Sequence, residues 1–313
     1  MRNYLLIIIL LFTITQSQSL RVGFWNVENL FDLEDNPITR DEEFALGGRK
    51  NVTPEIYNLK LKNCAEVLTD LDADVLGLCE VENNFVLTEL NKAYKHRDYK
   101  IIHIDSPDKR GIDNALLVDS SVFTVIHTQA IQNKLQNGKL TRDILYVLGS
   151  YQENELHIFV NHWPSNYGGK AQAIPKRNTT AILLVNKVNE ILSKDSNAEI
   201  ILLGDFNEDP LDDNVKLLKS VNMVNLMEPM MGKPKLGTYV YNGKDLFYDQ
   251  IIVSQGLTDE RGLYTGNSQI LDKPKYRQQD GDYAHYPFRF WIRDRLLGGY
   301  SDHLAIYVEI FAK

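Results

Sequence analysis

The sequence predicts a single α/β domain, and three observations carry that prediction. Apolar runs of strand length alternate along the chain with longer stretches whose apolar residues recur at helical spacing. Such interleaving is the pattern of sheets covered by helices rather than of separate α and β units. Several of the apolar runs end in an amide, an acid or an imidazole, at the strand ends where α/β folds gather their ligands. The chain of 313 residues is 43% hydrophobic and 24% charged, without repeats or low-complexity linkers, so one large core can be filled without dividing it.

Taken in order, the first nineteen residues stand apart. Arg2 precedes an apolar run from Tyr4 to Phe12, followed by the more polar 13–19. A charged start, an apolar stretch of about 7–15 residues and small residues before a cut fit a secretory signal peptide, with cleavage near Ser19. A buried first strand or an uncleaved anchor is the competing reading. The run is shorter than the ~20 apolar residues a membrane span needs, and no later stretch reads as one. The expectation is an exported protein, periplasmic or secreted, whose folded domain is 20–313.

Residues 21–27 are rich in β formers and read as a strand with Asn26 near its far end. Residues 32–53 are polar and acidic, with Gly47-Gly48, and read as a loop. Pro54 opens a helix to about Asp70, on which Leu59, Leu61, Cys64, Ala65 and Leu68 form an apolar stripe. A second buried strand covers 74–81, with Glu80 near its end, and a helix follows at 85–94. The centre is β-rich, with strands expected at 99–104, 115–118, 122–130, 144–150 and 156–162. Asn137-Gly138 signals a hairpin turn between two of these. A long helix at 175–192 turns Ala181, Leu184, Val188 and Ile191 inward. Strands at 200–203, 246–253 and 303–311 and a short helix at 212–220 complete the chain.

The stretch from Ile200 to Pro210 is where chemistry first shows. An apolar strand stops at Gly204, and Asp205 and Asn207 follow two residues apart, so an extended backbone points both to one side. A carboxylate and an amide at such a place suit a site that holds Mg²⁺ and orients a nucleophile. Turn chemistry is the alternative for so short a motif. The same pattern recurs at other strand ends: Asn26, Glu80, Asn161-His162 and Ser301-Asp302-His303. Together these residues predict a dense acidic pocket with imidazoles in it, whose carboxylate repulsion calls for a divalent cation. The net charge of -8, with no block of Lys or Arg, excludes a broad basic face for duplex nucleic acid. It leaves room for an enzyme that touches a phosphodiester locally. The two cysteines, Cys64 and Cys79, read as buried thiols, with a disulfide as the exported-protein alternative. No histidines stand at zinc-ligand spacing to them.

Six pieces in this order resemble the endonuclease/exonuclease/phosphatase superfamily, the DNase I-like fold. They are Trp25-Asn26, Leu78-Cys79-Glu80, Asn161-His162-Trp163, Gly204-Asp205-Phe206-Asn207, Tyr248-Asp249 and Ser301-Asp302-His303. The resemblance implies a four-layer α/β sandwich, two packed mixed sheets flanked by helices. It also implies a Mg²⁺-dependent phosphoester hydrolase, with Mn²⁺ as a substitute and nucleic acid as a transient substrate; a monomer is expected separately from the resemblance.

By the same resemblance Glu80 is the principal metal ligand, helped by Asn26 and Asp302. His303 is the general base or charge-stabilising imidazole, and Asp249 fixes its tautomer. Asp205 positions or deprotonates the attacking water, and Asn207 and His162 hydrogen-bond the phosphoryl oxygens. Arg142, in Leu140-Thr141-Arg142-Asp143, reads either as a phosphate clamp or as a surface arginine paired with Asp143. Arg110 stands on a turn that matches the family next to the site. Lys170 and Arg177 read as groove residues or as a solvated helix start, and the aromatic segment 268–295 as a lid or wall or as cover for the sheet edge. The match is nearest to exported bacterial nucleases, so an endonuclease is expected. A phosphoesterase acting on inositol phosphates or phospholipid head groups is the alternative. An inactive binding protein on this fold is opposed by the completeness of the set.

Overall fold

The computed structural model describes residues 19–313, so the expected signal peptide lies, apart from Ser19, outside the described residues. Strand β1 (Leu20–Leu30) leads through a long irregular loop to helix α1 (Pro54–Leu71) and back to β2 (Val75–Val81), which pairs parallel with β1. Helix α1 begins where the Thr53 side chain accepts the Ile56 N–H and Pro54 needs no donor. It ends at Asp72, whose left-handed backbone returns its N–H to Leu68. Helix α2 (Asn84–Ala93), capped by Asn83, precedes β3 (Lys100–His103) and β4 (Asp113–Val118), and β4 pairs antiparallel with β2.

The second sheet is built from β5 (Thr124–Ile131), β6 (Ile144–Tyr151) and β7 (Asn154–His162), a meander. Helix α3 (Lys170–Leu192) then crosses over to β8 (Ile200–Asp205), parallel to β7. After a short helix, α4 (Asp213–Lys216), come β9 (Met223–Asn225), the hairpin β10 (Tyr239–Tyr241) and β11 (Lys244–Leu246), and β12 (Asp249–Ser254). The chain returns to the first sheet through β13 (Leu263–Thr265) and β14 (Gln269–Ile270). A small hairpin, β15 (Trp291–Ile292) and β16 (Arg295–Leu296), precedes the last strand, β17 (Ile306–Ala312). The first sheet has the order β13-β17-β1-β2-β4-β3, with β14 also on β17, and the second β5-β6-β7-β8-β12-β9.

Side chains alternate across each strand and fill three layers of core. Val22 and Phe24 of β1 face Val160 of β7 and Leu203 of β8 between the sheets. On the outer face of the first sheet Leu76 and Leu78 meet Leu61, Cys64 and Leu68 of α1. On the outer face of the second, Phe159 and Leu202 meet Ala181, Leu184 and Val188 of α3. The result is the expected four-layer sandwich. At Gly77 a Cβ would stand 3.2–3.3 Å from Phe24 and Val160 side-chain atoms, so glycine lets the sheets close there. Cys64 and Cys79 are both free, in the outer and inner cores respectively.

Several boundaries differ from expectation for local reasons. Helix α3 begins at Lys170, a turn before Pro175, because 170–174 buries only Ala173 and shows no apolar period. The predicted strand 246–253 is two strands, since Phe247 and Tyr248 carry the chain from the hairpin to the second sheet. The last strand begins at Ile306, which leaves His303 on a loop ahead of it. Among the described residues no helix is long and apolar enough to cross a membrane.

Candidate active site

The strand ends predicted to carry chemistry meet at one edge of the sandwich. In the second sheet the register sets His162 beside Asp205 and Asp205 beside Asp249, a row across three neighbouring strands. In the first sheet Asn26 lies opposite Cys79, so Glu80 follows directly beside it. Here the β1–β2 ladder slips, and Glu28, Asn29 and Glu80 all adopt left-handed φ of 56°, 58° and 61°. Non-glycine residues hold that backbone only where surrounding contacts enforce it, and such strain concentrates at functional sites. Asn207, at φ 51°, repeats it on the other sheet. The side chains of Asn26, Glu80, His162, Asp205, Asn207, Asp302 and His303 line a single cavity of about 580 Å³.

Hydrogen bonds fix this set from behind. Asp249 is fully buried and its Oδ2 lies 2.7 Å from His303 Nδ1. Asp205 accepts from Asn26 Nδ2 at 3.1 Å and from the Asn207 N–H at 2.9 Å. Glu80 accepts the Asn29 N–H at 3.1 Å, and the Ser301 hydroxyl donates to the Asn26 carbonyl at 2.7 Å. His162 Nε2 stands 3.8 Å from Glu80 and 3.7 Å from Asp205, and His303 Nε2 stands 3.9 Å from Asp205. The two imidazoles therefore face the same carboxylate across the cavity.

Their charge states oppose each other. Burial pulls the His303 pKa down, but Asp249 and Asp205 outweigh it and hold the ring well above its ordinary range. His162 is driven well below, first by burial and then by the nearby Arg142 and Arg110 guanidinium groups. Burial raises Asp205 to about 7, with Asp249 and Glu80 adding and His303 opposing. At neutral pH the cavity thus holds one imidazolium, one neutral imidazole and a carboxyl poised near its midpoint.

Most of the predicted residues are brought together, and three placements change or extend the reading. Arg142 is not a phosphate clamp and is not paired with Asp143. It is 6% exposed, and its guanidinium bonds Asp108, the His162 carbonyl and the Trp163 carbonyl, so it props the β7 end from behind. Asn26 lines the cavity, where its Oδ1 accepts the Glu28 N–H and its Nδ2 donates to Asp205, so it orients that acid and keeps one lone pair of Oδ1 unspent. Arg177 is wholly buried against Glu208 and the 164–166 loop, away from solvent. Asp302 reaches the cavity with one oxygen engaged by Arg289 at 2.9 Å.

Sequence reasoning undervalued three kinds of residue. Arg110, on a tight turn before Gly111, lines the cavity and bonds Asn29 Oδ1 at 2.7 Å, within 3.5 Å of Glu80. It holds the place expected of Arg142. Tyr239, Tyr241, Tyr248 and Tyr167 form the aromatic wall of the cavity, whereas Phe247 beside Tyr248 is core. Glu28 is buried behind the site, and its carboxylate accepts the N–H groups of Phe290 and Trp291. The 268–295 segment supplies no lining residue. It packs Tyr276 on α1 and Phe290 and Trp291 on Phe31 and Phe44, which makes it a buttress.

The donor set suits a hard divalent cation. Glu80, Asp205 and Asp302 turn carboxylate oxygens toward one cavity, and Glu80 Oε1 has no partner nearer than Arg110 at 3.5 Å. Burial, with Asp249 and Glu80 adding, pushes Asp205 toward its neutral form. Oxygen ligands in excess of local positive charge are what such a cation binds.

Solved structures resemble this one over nearly their whole length. A truncated TDP2 of Caenorhabditis elegans matches over 94% of this chain and 98% of its own, at 19% identity and a TM-score of 0.60. The catalytic domain of human Nocturnin, with a bound sulfate anion, matches over 94% and 95%, at 17% identity and 0.60. A mannosyl-6-phosphatase of Bacteroides thetaiotaomicron matches over 93% and 99%, at 18% identity and 0.60. At these identities the likeness is one of fold. No curated protein matches the chain. The model of the Endonuclease/Exonuclease/phosphatase family matches residues 21–312, and the chain therefore belongs to that family.

Proposed function

We propose that this protein is a Mg²⁺-dependent phosphodiesterase, an endonuclease that hydrolyses nucleic-acid phosphodiester bonds. The observation that carries the reading is the meeting of Glu80, His162, Asp205 and His303 in one cavity, with His303 locked on buried Asp249. Asp205, ionising near neutrality, takes a proton from water. Neutral His162 and the second Nδ2 hydrogen of Asn207, whose first goes to the Trp163 carbonyl at 3.1 Å, donate to phosphoryl oxygens, and cationic His303 offsets the charge that develops on them. Glu80 and Asp302 would hold the metal, which when bound supplies neutralisation of phosphoryl and leaving-oxygen charge. Family members are phosphoesterases and nucleases, which fixes the reaction class more firmly than the ester.

The sugar-phosphate reading stands second, on the neighbour named as a mannosyl-6-phosphatase. The phospholipid reading is opposed by the cavity wall, which contains four tyrosines and no aliphatic side chain. Export remains part of the proposal, supported by the charged start and apolar run of residues 2–12.

The test is nicking of supercoiled plasmid by residues 20–313 with Mg²⁺. Cleavage should vanish with chelator and fall by on the order of 10³ in Asp205→Ala, the usual size of a general base. Plasmid left intact by a folded protein that hydrolyses mannose 6-phosphate would replace the first reading with the second.

A further inference from the structure

We propose that Tyr167 and Tyr241 form a ring-stacking subsite at the cavity mouth that takes unpaired bases, making single-stranded nucleic acid the preferred substrate. The inference rests on the phosphodiesterase reading of the adjoining centre and adds its substrate class. Four tyrosines line the cavity, and they divide into two pairs. Tyr239 stacks on His303 at 4.7 Å and on Tyr248 at 5.4 Å, so the inner pair has its rings occupied by each other and by the catalytic imidazole. Tyr167 and Tyr241 are 92% and 59% exposed, and neither has a ring partner among the described residues.

Both outer rings stand on rigid supports. Tyr241 follows Tyr239 by two residues on β10, so it continues the same face outward from His303. The β10–β11 turn is Asn242-Gly243, both left-handed at 48° and 74°, and the Gly243 N–H donates to the Tyr286 hydroxyl at 2.6 Å. Tyr167 projects from a loop closed by a Gly169 N–H bond to the Asn166 carbonyl at 2.9 Å. Asn166 is itself held, donating to the Tyr248 hydroxyl at 3.2 Å and accepting from buried Arg177 at 3.0 Å. A large exposed ring on a fixed mount binds planar groups at small entropic cost.

The surrounding chemistry selects a base. A lipid tail would need aliphatic walls, and the lining has none. Beside Tyr167 the Asn166 amide has its Oδ1 and Nδ2 engaged, so the ring face is the contact offered there. Arg110 and Lys170, also on the lining, suit a phosphate flanking the scissile one. Two local cations on a chain of net charge -8 do not grip a duplex, whose paired bases also hide their faces. Stacking on exposed aromatics with a few phosphate contacts is how single strands are held.

The test compares three substrates of one sequence with Mg²⁺: a single strand, its duplex, and a single strand with abasic residues flanking the cut. The single strand should show the lowest KM, more than about tenfold below the abasic strand, since one ring–base stack alone accounts for about that factor. Tyr167→Ala and Tyr241→Ala should each raise KM for the base-bearing strand by about tenfold with little change in kcat. Tyr→Phe at either position should retain wild-type KM, since the ring and not the hydroxyl binds. Equal KM for base-bearing and abasic strands, preference for duplex, or indifference to the alanine changes would overturn the subsite. Failure of the phosphodiesterase reading looks different, because no strand would then be cut. In that case anisotropy of the labelled strands in chelator decides: base-dependent binding lost in the alanine variants upholds the subsite, and equal binding of both strands sinks it.

Discussion

His303 and His162 are both buried in one cavity, yet their neighbours set them in opposite states. Asp249, with no access to water, keeps His303 charged, and burial, helped by nearby guanidinium groups, keeps His162 neutral. Asp249→Asn tests this directly. The change removes the charge that raises His303 and also one of the charges that raises Asp205. If the active form needs His303 protonated and Asp205 ionised, both limbs of the pH–rate profile should move to lower pH. The rate at the optimum should fall by about 10²–10³, in line with loss of an oriented, charged partner. A profile that keeps its limbs would remove Asp249 from control of either group. Much of this site was legible because polar residues interrupt or border apolar runs, Glu80 and Asp205 at strand ends and His303 just ahead of the last strand. Arg142 was not, because its true partner, Asp108, is distant in sequence and nothing local distinguishes a buried arginine from an exposed one.

The β1 end shows how one element sets the geometry of another. Glu28, held left-handed, spends both carboxylate oxygens on the Phe290 and Trp291 N–H groups, at 2.7 and 3.1 Å. Arg289, next in the chain, reaches from Glu28 to Asp302, and Lys60 of α1 ties the Val27 and Tyr300 carbonyls together. Strand β1 thus fixes the segment that delivers Asp302 and His303. Glu28→Ala leaves two buried donors unpaired, at roughly 1–3 kcal/mol each. Thermal melting should fall by at least about 5 °C, and kcat should fall about tenfold through loss of positioning. A melting curve that coincides with wild type would show that the anchor carries no strain. The long helices and central strands announced themselves by period. Strands β9–β11 and β13–β16 have two or three residues each, too few for alternation to register. The Asn242-Gly243 turn was readable in principle, since that dipeptide signals a two-residue hairpin.

Across the whole molecule, buried acids make stability depend on pH in a direction opposite to ordinary acid denaturation. Glu82 is raised to about 8 and Glu28 and Glu199 to about 7, in each case chiefly by burial, and Asp205 to about 7 likewise. Between the unfolded carboxyl range and these values the folded chain binds protons that the unfolded chain has released. Stability therefore falls as pH rises through that interval. His303, raised, has the same sign above its ordinary value, whereas lowered His162 and His157 oppose it only below theirs. Asp70, lowered to about 2 by its lysine and tyrosine partners against the pull of burial, exerts its effect at far lower pH. The net slope is consequently steepest between about pH 6.5 and 8, and in chelator the melting temperature should drop by several degrees across that window. Glu199 lies far from the cavity, where its Oε1 accepts the Leu263 N–H at 2.5 Å. Glu199→Gln should keep that acceptor and flatten the slope without altering the pH dependence of catalysis. Added Mg²⁺ should flatten it separately, by stabilising ionised Asp205 and its neighbours in the folded state. A melting temperature that holds steady or climbs from pH 6.5 to 8 would mean that these acids are already ionised in the fold.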